Sequence, residues 1–373
     1  MVTLHPFKKM GKQVVQTISE NFRTTKAVVI FIAALFTIPV VAQQVDKSLD
    51  GIEVKPFGRM IRPCCVFGYN LPVFGFPAKM GYTTSSERLG HHKFYGGEGE
   101  YNGIIYTRDG GFIDIGHVRD NADMMAYFSS QISHNLDKDI VLKTKHEAGK
   151  RVIEISLKGR ELSSTDILLL GQRITYELAV WHEIRTYFGV PTHYPIHEIQ
   201  SAFSPEDLYS NLLGTYVGRW AIEKEGHYET DVDTVIQELL VKLGKVNTEQ
   251  DTKTAMDDVL GIWWNRVPLP SRKFLLAWNT KTYGEILPWL IPTHAKYFNT
   301  PTHIYPLPVP ELTESGVPLN DLFTIRIKPI SKIPMKKIFN TKTKKEVTQK
   351  DFSAIVTWIE NELHVPVTGA TVK

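Results

Sequence analysis

The sequence predicts an α+β fold, a single helix-rich domain with small antiparallel hairpins that follows an N-terminal signal or membrane anchor. Apolar residues recur at helical spacing over several long segments, and two pairs of strand-like runs are separated by turn residues. Internal repeats are absent from the sequence. Hydrophobic residues make up 42% of the 373 residues, which is enough for a packed core and excludes global disorder.

The first segment, residues 1–42, has the order of a secretory signal. Basic residues dominate residues 1–26, and a 16-residue apolar run, residues 27–42, follows and ends in Val40-Val41-Ala42. Small residues at that end fit cleavage by signal peptidase. The run is shorter than the ~20 residues of a spanning helix, but an uncleaved anchor stays an alternative. We therefore expect residues 43–373 to form one envelope domain, periplasmic or secreted, with membrane association through residues 27–42 if that segment is retained.

The net charge of +3 comes from this N-terminal segment. Residues 1–42 contain five basic residues and one acidic residue, so their removal leaves 38 basic and 39 acidic residues and a net charge of −1. A domain with this charge has no electrostatic footprint for nucleic acid. The two cysteines also exclude a disulfide framework and a four-cysteine zinc module.

The first half of the domain predicts two hairpins and two helices. Ile104–Tyr106 and Phe112–Ile115 form the first hairpin around an Asp-Gly turn, and a helix follows from about His117. Residues 139–159 form the second hairpin, with a turn at 147–150. The longest helix runs from about Ser164 to Phe188, because residues 163–166 (Ser-Ser-Thr-Asp) supply its start and Gly189 and Pro191 end it.

The second half predicts further helices and one strand. A helix opens at Ser204-Pro205-Glu206-Asp207, with Ser204 as its cap, and continues to about Lys224. Other predicted elements are a helix at 231–243, a wrapping arm rich in tryptophan and proline at 261–310, a strand at 322–329 and a final helix at 351–363.

Histidines and carboxylates on two of these helices indicate a metal site. His117 lies where a strand gives way to a helix, with Asp120 one turn later, and His182 and Glu183 lie on the longest helix. Two histidines and a carboxylate from separate elements can hold zinc and leave one position for water. The expected metal ligands are His117, His182, His91, His92 and Asp120, and the expected third ligand or general base is Glu183 or Glu177.

Each of these residues also has an ordinary structural interpretation. Asp120 can complement the dipole of its helix, with His117 as a cap. His182 with Glu183 can form a buried hydrogen-bond network that fixes helix packing. The adjacent His91 and His92 follow a glycine and suit a polar loop. The metal hypothesis therefore requires His117 and His182 to meet in space.

The adjacent pair Cys64 and Cys65 supplies a different hypothesis. Neighbouring cysteines form a disulfide only with strained geometry, so the pair is either a strained disulfide, a buried pair or a reactive thiol. A nucleophilic cysteine would need a base such as His91, His92 or His117. The segment after the pair does not have the helical pattern that usually follows a peptidase cysteine.

Four stretches taken together resemble a known family. They are RPCCVFG at 62–68, the block from LGHHKFYGG to GHVRDNADM at 89–124, ELAVWHEIRTYFG at 177–189 and SAFSPEDLYSNLLG at 201–214. Over roughly residues 55–295 the chain resembles an uncharacterised bacterial envelope family, domain of unknown function 4056. The resemblance implies a secreted or envelope location and a single domain, and it brings no activity, substrate or catalytic residue.

The leading hypothesis from the sequence is a zinc-dependent envelope hydrolase that acts on an unknown small molecule, lipid, peptide or cell-wall fragment. One alternative is a cysteine-dependent peptidase or acyltransferase that uses Cys64 or Cys65. The other is a non-enzymatic envelope binding protein with a groove in residues 261–310. Bound metal and the effect of cysteine replacement separate the three.

Overall fold

Three long helices occupy the centre of the molecule in this computed structural model. They are α1 (Ile115–Ser133), α2 (Ser164–Tyr187) and α3 (Asp207–Glu223). Four further helices are α4 (Tyr228–Lys242), α5 (Glu249–Asp257), α6 (Met335–Phe339) and α7 (Phe352–Leu363). The structure describes residues 44–62, 66–73, 79–144, 146–190, 199–268, 275–293, 297–298 and 302–363.

The strands are short and antiparallel. In chain order they are β1 (Leu71–Pro72), β2 (Lys79–Met80), β3 (Ile104–Thr107), β4 (Gly111–Asp114), β5 (Ile140–Thr144), β6 (Gly149–Ile155), β7 (Glu285–Ile286), β8 (Leu307–Pro308), β9 (Phe323–Pro329) and β10 (Val347–Thr348). The largest sheet has the order β10-β9-β6-β5, and β1 with β2, β3 with β4 and β7 with β8 form two-stranded pairs. The predicted α+β class and both predicted hairpins, β3–β4 and β5–β6, are confirmed.

The contact between α1 and α3 is close because α3 presents glycines to it. A Cβ atom on Gly214 would lie 2.5 Å from the carbonyl oxygen of Val118, and one on Gly218 would lie 2.7 Å from that of Ala122. No side chain fits in that space without moving the helix backbones. The two glycines therefore let α3 approach the first turns of α1, where His117 lies.

The start of each of the first two helices follows from a local side-chain cap. Asp114 ends β4 and is the N-cap residue of α1. Its side chain accepts hydrogen bonds from the backbone N–H groups of Gly116 and His117. Ser163 and Asp166 form a capping box that begins α2, as the sequence predicts. From Asp166 to Tyr187 nearly every side chain of α2 is buried, so its polar residues face partners inside the protein and not water.

One prediction about these elements is wrong, and two features were not predicted. Ser204 does not cap α3: the helix begins at Asp207, its N-cap residue Glu206 makes no side-chain capping bond, and the Ser204 hydroxyl donates to Glu206. The second hairpin belongs to a larger sheet that was not predicted, in which β9 pairs with β6 along seven residues and β10 pairs with β9. The helices α5 and α6 were not predicted. Within α5 only Thr252, Ala255 and Met256 are buried, too few for a clear apolar period.

The predicted arm is described only in part. Its residues Trp263, Trp264 and Trp278 are buried and belong to the main hydrophobic core. None of the helices within the described ranges combines the length and the apolarity that crossing a bilayer requires. Residues 1–42, which carry the predicted signal or anchor, lie outside those ranges.

Candidate functional site

His117, His182 and Glu183 meet in the interior between α1 and α2. One potential ligand atom from each residue lies within 4.8 Å of the other two. The centroids of the two imidazole rings are 5.8 Å apart. Ligand atoms bonded to one zinc ion lie ~2 Å from it, so side-chain movements of about 1 Å would bring all three to a single ion.

The burial of these three side chains is nearly complete. Relative exposure is 4% for His117, 1% for His182 and 1% for Glu183. Glu183 has one hydrogen bond on each oxygen: Oε2 accepts from the backbone N–H of Phe203 at 3.0 Å and Oε1 accepts from Asn211 Nδ2 at 3.0 Å. The carboxylate is therefore held in place while lone pairs remain on both of its oxygens.

An amide on α3 sets the protonation of His117. Asn211 must turn Nδ2 towards the Glu183 carboxylate, which only accepts, and Oδ1 therefore faces His117 Nδ1 at 2.6 Å. The same Oδ1 accepts from Asn121 Nδ2 at 2.8 Å. An amide oxygen has no proton to give, so His117 Nδ1 carries the hydrogen and the ring lone pair is on Nε2.

A carboxylate from the β5–β6 turn contacts the Nδ1 atom of His182. Glu147 Oε1 lies 2.9 Å from His182 Nδ1. Burial raises the pKa of Glu147, but the charges of Arg151 and Arg185 outweigh burial and lower that pKa to about 2. The ionised carboxylate only accepts, so its contact favours the His182 tautomer with the proton on Nδ1 and the lone pair on Nε2, whereas Arg185 Nη2, a donor at 2.9 Å from the same Nδ1, favours the opposite tautomer.

The surroundings of His182 also keep its imidazole neutral. Burial and the charge of Arg185, whose Nη2 lies 2.9 Å from His182 Nδ1, lower the pKa of the ring. Trp181 Nε1 donates to the Glu147 carbonyl at 2.8 Å and fixes the turn against α2. Neutral imidazole is the form that binds metal ions, so the residues around His182 favour that role.

Two more carboxylates border His117. Its Nε2 lies 3.8 Å from Asp207 Oδ1 and 4.0 Å from Asp114 Oδ2. Burial lowers the pKa of His117, but the nearby charges of Asp114 and Glu183 outweigh burial and raise it. Burial and the charges of its acidic neighbours also raise the pKa of Asp207 well above the ordinary value.

The centre therefore carries an excess of acidic groups. Burial and the charge of Asp114 raise the pKa of Glu206 to about 8. In the described part of the chain, no lysine or arginine forms a salt bridge with Glu183, Glu206 or Asp207. Buried carboxylates without such partners are costly, and a bound cation is one way to stabilise them.

Comparison with known proteins gives a family and no activity. The family model described as a protein of unknown function, DUF4056, matches residues 53–292. The chain belongs to the DUF4056 family. The match contains the whole cluster from Asp114 to Asn211, whereas β9, β10 and α7 follow it. The search of curated proteins and the search of solved structures each returned no match.

Several residues nominated from the sequence lie elsewhere in this DUF4056 structure. Asp120 accepts from Arg62 Nη1 at 2.8 Å and from two backbone N–H groups. His92 Nε2 lies 2.9 Å from Asp123 Oδ1, and His91 is exposed near Asp233. Asp120 and His92 belong to a second ionic cluster that ties residues 92–100 to α1, whereas His91 lies beside α4.

Glu177 is also separate from the histidine pair. Its Oε1 accepts from Arg173 Nε at 3.0 Å and Nη2 at 2.8 Å, and its Oε2 accepts from the Tyr283 hydroxyl at 2.9 Å. The Glu177 carboxylate therefore joins α2 to the loop that contains Tyr283. Cys64 and Cys65 lie outside the described residues, so their prediction stays untested.

Sequence reasoning missed part of the DUF4056 centre. Glu147 was interpreted only as a turn residue, and nothing local distinguishes it, since its partner is 35 residues away. Asp207 was interpreted only as a helix-start residue. The signal that was available is the spacing of Asp207 and Asn211, which are four residues apart on α3 and share one helix face.

Proposed function

We propose that this chain is a metal-dependent hydrolase whose ion is bound by His117, His182 and Glu183. The observation that carries the proposal is the convergence of three buried ligand groups within 4.8 Å. Each imidazole directs Nδ1 to an acceptor, Asn211 Oδ1 for His117 and Glu147 Oε1 for His182. Nε2 is therefore the nitrogen of each ring that we propose binds the ion. Two imidazoles and one carboxylate suit zinc, and zinc is the ion we propose.

His117, His182 and Glu183 would hold the zinc ion, which would supply water activated for attack at neutral pH. Asp207 Oδ1 has no hydrogen-bond partner and lies 3.8 Å from His117 Nε2, so it is placed to accept the water proton. In this role Asp207 replaces Glu177, whose carboxylate is bound by Arg173.

The near-complete burial favours a second candidate, a structural metal centre. Structural zinc sites are closed, whereas catalytic sites keep a position accessible to substrate. His117, His182 and Glu183 are at most 4% exposed, so a substrate would reach the ion only after part of the surrounding wall moves. Both candidates require the ion, and only the hydrolase requires turnover that depends on it.

We also propose an envelope location, on the sequence order of a basic segment, an apolar run and a small-residue end in residues 1–42. The N-terminal residue of the protein purified from cell envelopes tests this. Cleavage after Ala42 predicts Gln43 as the first residue. A chain that retains Lys26 on cytosolic fractionation would contradict both the signal and the anchor.

The metal is tested on residues 43–373 purified without chelator or affinity histidines. We expect at least one zinc per chain, lost in the variants His182→Ala and Glu183→Gln. The matched control is His91→Ala, whose side chain is 96% exposed and should leave the zinc content unchanged. Circular dichroism checks that each variant is folded. Zinc-free wild-type protein that also fails to bind added Zn²⁺ would overturn the proposal.

Turnover then separates the two candidates. A panel of ester, phosphate ester and amide substrates is assayed with zinc-loaded and chelator-treated protein. Hydrolysis that returns when zinc is added back supports the hydrolase. Zinc that raises the melting temperature without any hydrolysis across the panel supports the structural centre instead.

A further inference from the structure

We propose that the domain binds an anionic phospholipid bilayer through a lysine-rich surface. This inference goes beyond the proposed function, because it uses no residue of the histidine centre and requires no ion. The surface is formed by the outer face of the four-stranded sheet and by the chain that runs from β9 to β10. Its charged members are exposed lysines: Lys150, Lys328, Lys336, Lys337, Lys342 and Lys345.

The first argument is the uneven distribution of charge along the chain. Residues 326–350 contain nine basic residues and one acidic residue, which gives them a net charge of +8. The rest of residues 43–373 contains 29 basic and 38 acidic residues, a net charge of −9. The near-zero net charge of the domain is therefore the sum of one strongly positive segment and an acidic remainder, and such a segment attracts anionic surfaces.

The second argument is the placement of two lysines on one face of the sheet. Side chains alternate along β9, so Ile325 and Ile327 are buried whereas Arg326 and Lys328 are exposed. Lys150 of β6 lies directly opposite Lys328 and is exposed on the same face. Like charges that face each other across two strands destabilise a sheet. An anionic surface lying against this face would remove that repulsion.

The third argument is that none of the six lysines forms an ion pair within the described ranges. The nearby acids are taken by other basic residues. Arg326 pairs with Glu154 at 2.8 Å and with Glu346 at 3.3 Å, and Lys344 pairs with Asp351 at 2.7 Å. Six ammonium groups therefore remain available for an external anion.

Exposed apolar side chains lie near these charges and favour a bilayer as the partner. Val141 of β5 is 60% exposed, and Ile330, which follows β9, is 37% exposed. The short helix α6 has no buried residue at all. Basic surfaces with exposed apolar side chains suit an anionic bilayer, because ammonium groups contact the headgroups while apolar groups enter the interface. The predicted signal or anchor in residues 27–42 would also bring this chain to a membrane.

The side chains of the segment suit nucleic acid less well. Its one aromatic residue, Phe339, is half-buried, and Lys344 Nζ lies 4.6 Å from the centre of its ring. Its one arginine, Arg326, already pairs with two carboxylates. Stacking on bases and bidentate arginine contacts, the usual means of binding nucleic acid beyond its phosphates, therefore lack side chains here.

Vesicle sedimentation tests the proposal on residues 43–373, which contain every described element. The vesicles consist of phosphatidylcholine alone or of an equal mixture of phosphatidylcholine and phosphatidylglycerol. We expect binding to the mixed vesicles at low salt and little binding to phosphatidylcholine. The bound protein should be released at ~1 M NaCl, where the Debye length is ~3 Å.

Two double variants locate the surface. Lys150→Gln with Lys328→Gln removes the opposed pair of the sheet, and Lys336→Gln with Lys337→Gln removes two charges from α6. Each double variant should weaken binding to the mixed vesicles by at least about fivefold. Circular dichroism without vesicles checks that both variants are folded.

The matched control changes the net charge by the same amount at another place. Lys79→Gln with Lys242→Gln replaces exposed lysines on β2 and α4, and this variant should bind the mixed vesicles like the wild type.

Three results would overturn the proposal. The first is no binding of the wild type to the mixed vesicles at low salt. The second is equal binding by the wild type and both double variants, which would place the contact elsewhere. The third comes from competition with a DNA duplex at equal phosphate concentration: release of the protein from the vesicles would assign the surface to nucleic acid. The zinc content of the double variants should equal that of the wild type, so none of these results affects the proposed metal centre.

Discussion

Glu147 Oε1 lies 2.9 Å from His182 Nδ1, although the two residues are 35 positions apart in the chain. The contact joins the β5–β6 turn to the middle of α2. Arg151 Nη1 donates to the other oxygen, Glu147 Oε2, at 2.6 Å and Arg185 Nε donates to Oε1 at 3.1 Å, so the carboxylate stays ionised. The turn thus orients the imidazole on which the proposed metal centre depends.

The first prediction follows from that contact. The variant Glu147→Gln removes the charge that holds the Nδ1 proton of His182, so the ring is free to change tautomer and we expect zinc affinity to fall about 10–100-fold. Competition with a chromophoric chelator measures the affinity on protein that circular dichroism shows to be folded. Glu154→Gln, on β6 and half exposed beside Arg326, is the control. Unchanged affinity in Glu147→Gln would show that the contact does not orient His182.

The second prediction concerns the contact between α1 and α3. A Cβ atom on Gly214 would lie 2.5 Å from the Val118 carbonyl oxygen, so Gly214→Ala forces the helices apart. We expect a loss of about 1–3 kcal/mol in the free energy of unfolding, measured by urea denaturation. The exposed substitution Ser353→Ala on α7 should change stability by less than about 0.5 kcal/mol. Equal stability of the two variants would mean that the helices are not in close contact.

The third prediction concerns acid stability. Burial raises the pKa of Glu100, but its hydrogen bond and charge interaction with Arg62 outweigh burial and lower the pKa from the usual 4.5 to about 2. Because the folded-state pKa is lowered, this carboxylate stabilises the protein above pH 4.5, and the contribution is lost as the pH falls towards 2. The side chain is only 2% exposed, and the shift corresponds to about 3 kcal/mol.

Urea denaturation between pH 7 and pH 2.5 checks that sign. Glu100→Gln should lower stability at pH 7 and flatten the loss on acidification. The exposed neighbour Glu98→Gln should leave the profile of the wild type unchanged. A variant Glu100→Gln with the same acid dependence as the wild type would place the acid-sensitive carboxylates elsewhere.

The fourth prediction separates the metal hypothesis from the thiol hypothesis. If the ion carries the chemistry, the double variant Cys64→Ala, Cys65→Ala keeps its zinc content and any zinc-dependent hydrolysis within about twofold. Elemental analysis and the substrate panel measure both quantities. Loss of turnover with unchanged zinc would favour a cysteine peptidase or acyltransferase over the metal-dependent hydrolase.

The local parts of this structure could be predicted from the sequence. α2 follows from its capping box at Ser163 and from apolar spacing, and the β3–β4 hairpin follows from its Asp-Gly turn, because both signals lie within a few residues. The pairing of β6 with β9 could not be predicted, since Ile153 and Ile325 face each other across a long intervening stretch of chain. Nothing in either strand alone specifies that register.

Some residues of the candidate site could be predicted from the sequence and others could not. His117 and His182 could be nominated because histidines on helices are chemically distinctive. A role of Asp207 in the site could not be distinguished from the ordinary role of an acid in the first turn of a helix, since both place an acid at the same position. Glu147 could not be found at all, because its role exists only once the β5–β6 turn packs against α2.

X-ray absorption at the zinc edge of the zinc-loaded protein tests whether His117, His182 and Glu183 bind the ion. We expect a first shell of nitrogen and oxygen at ~2.0–2.1 Å with the outer-shell pattern of two imidazoles. In His182→Ala the pattern should fall to one imidazole. A zinc shell with no imidazole, or one that is identical in the wild type and His182→Ala, would contradict the assignment of His117, His182 and Glu183 as the metal ligands.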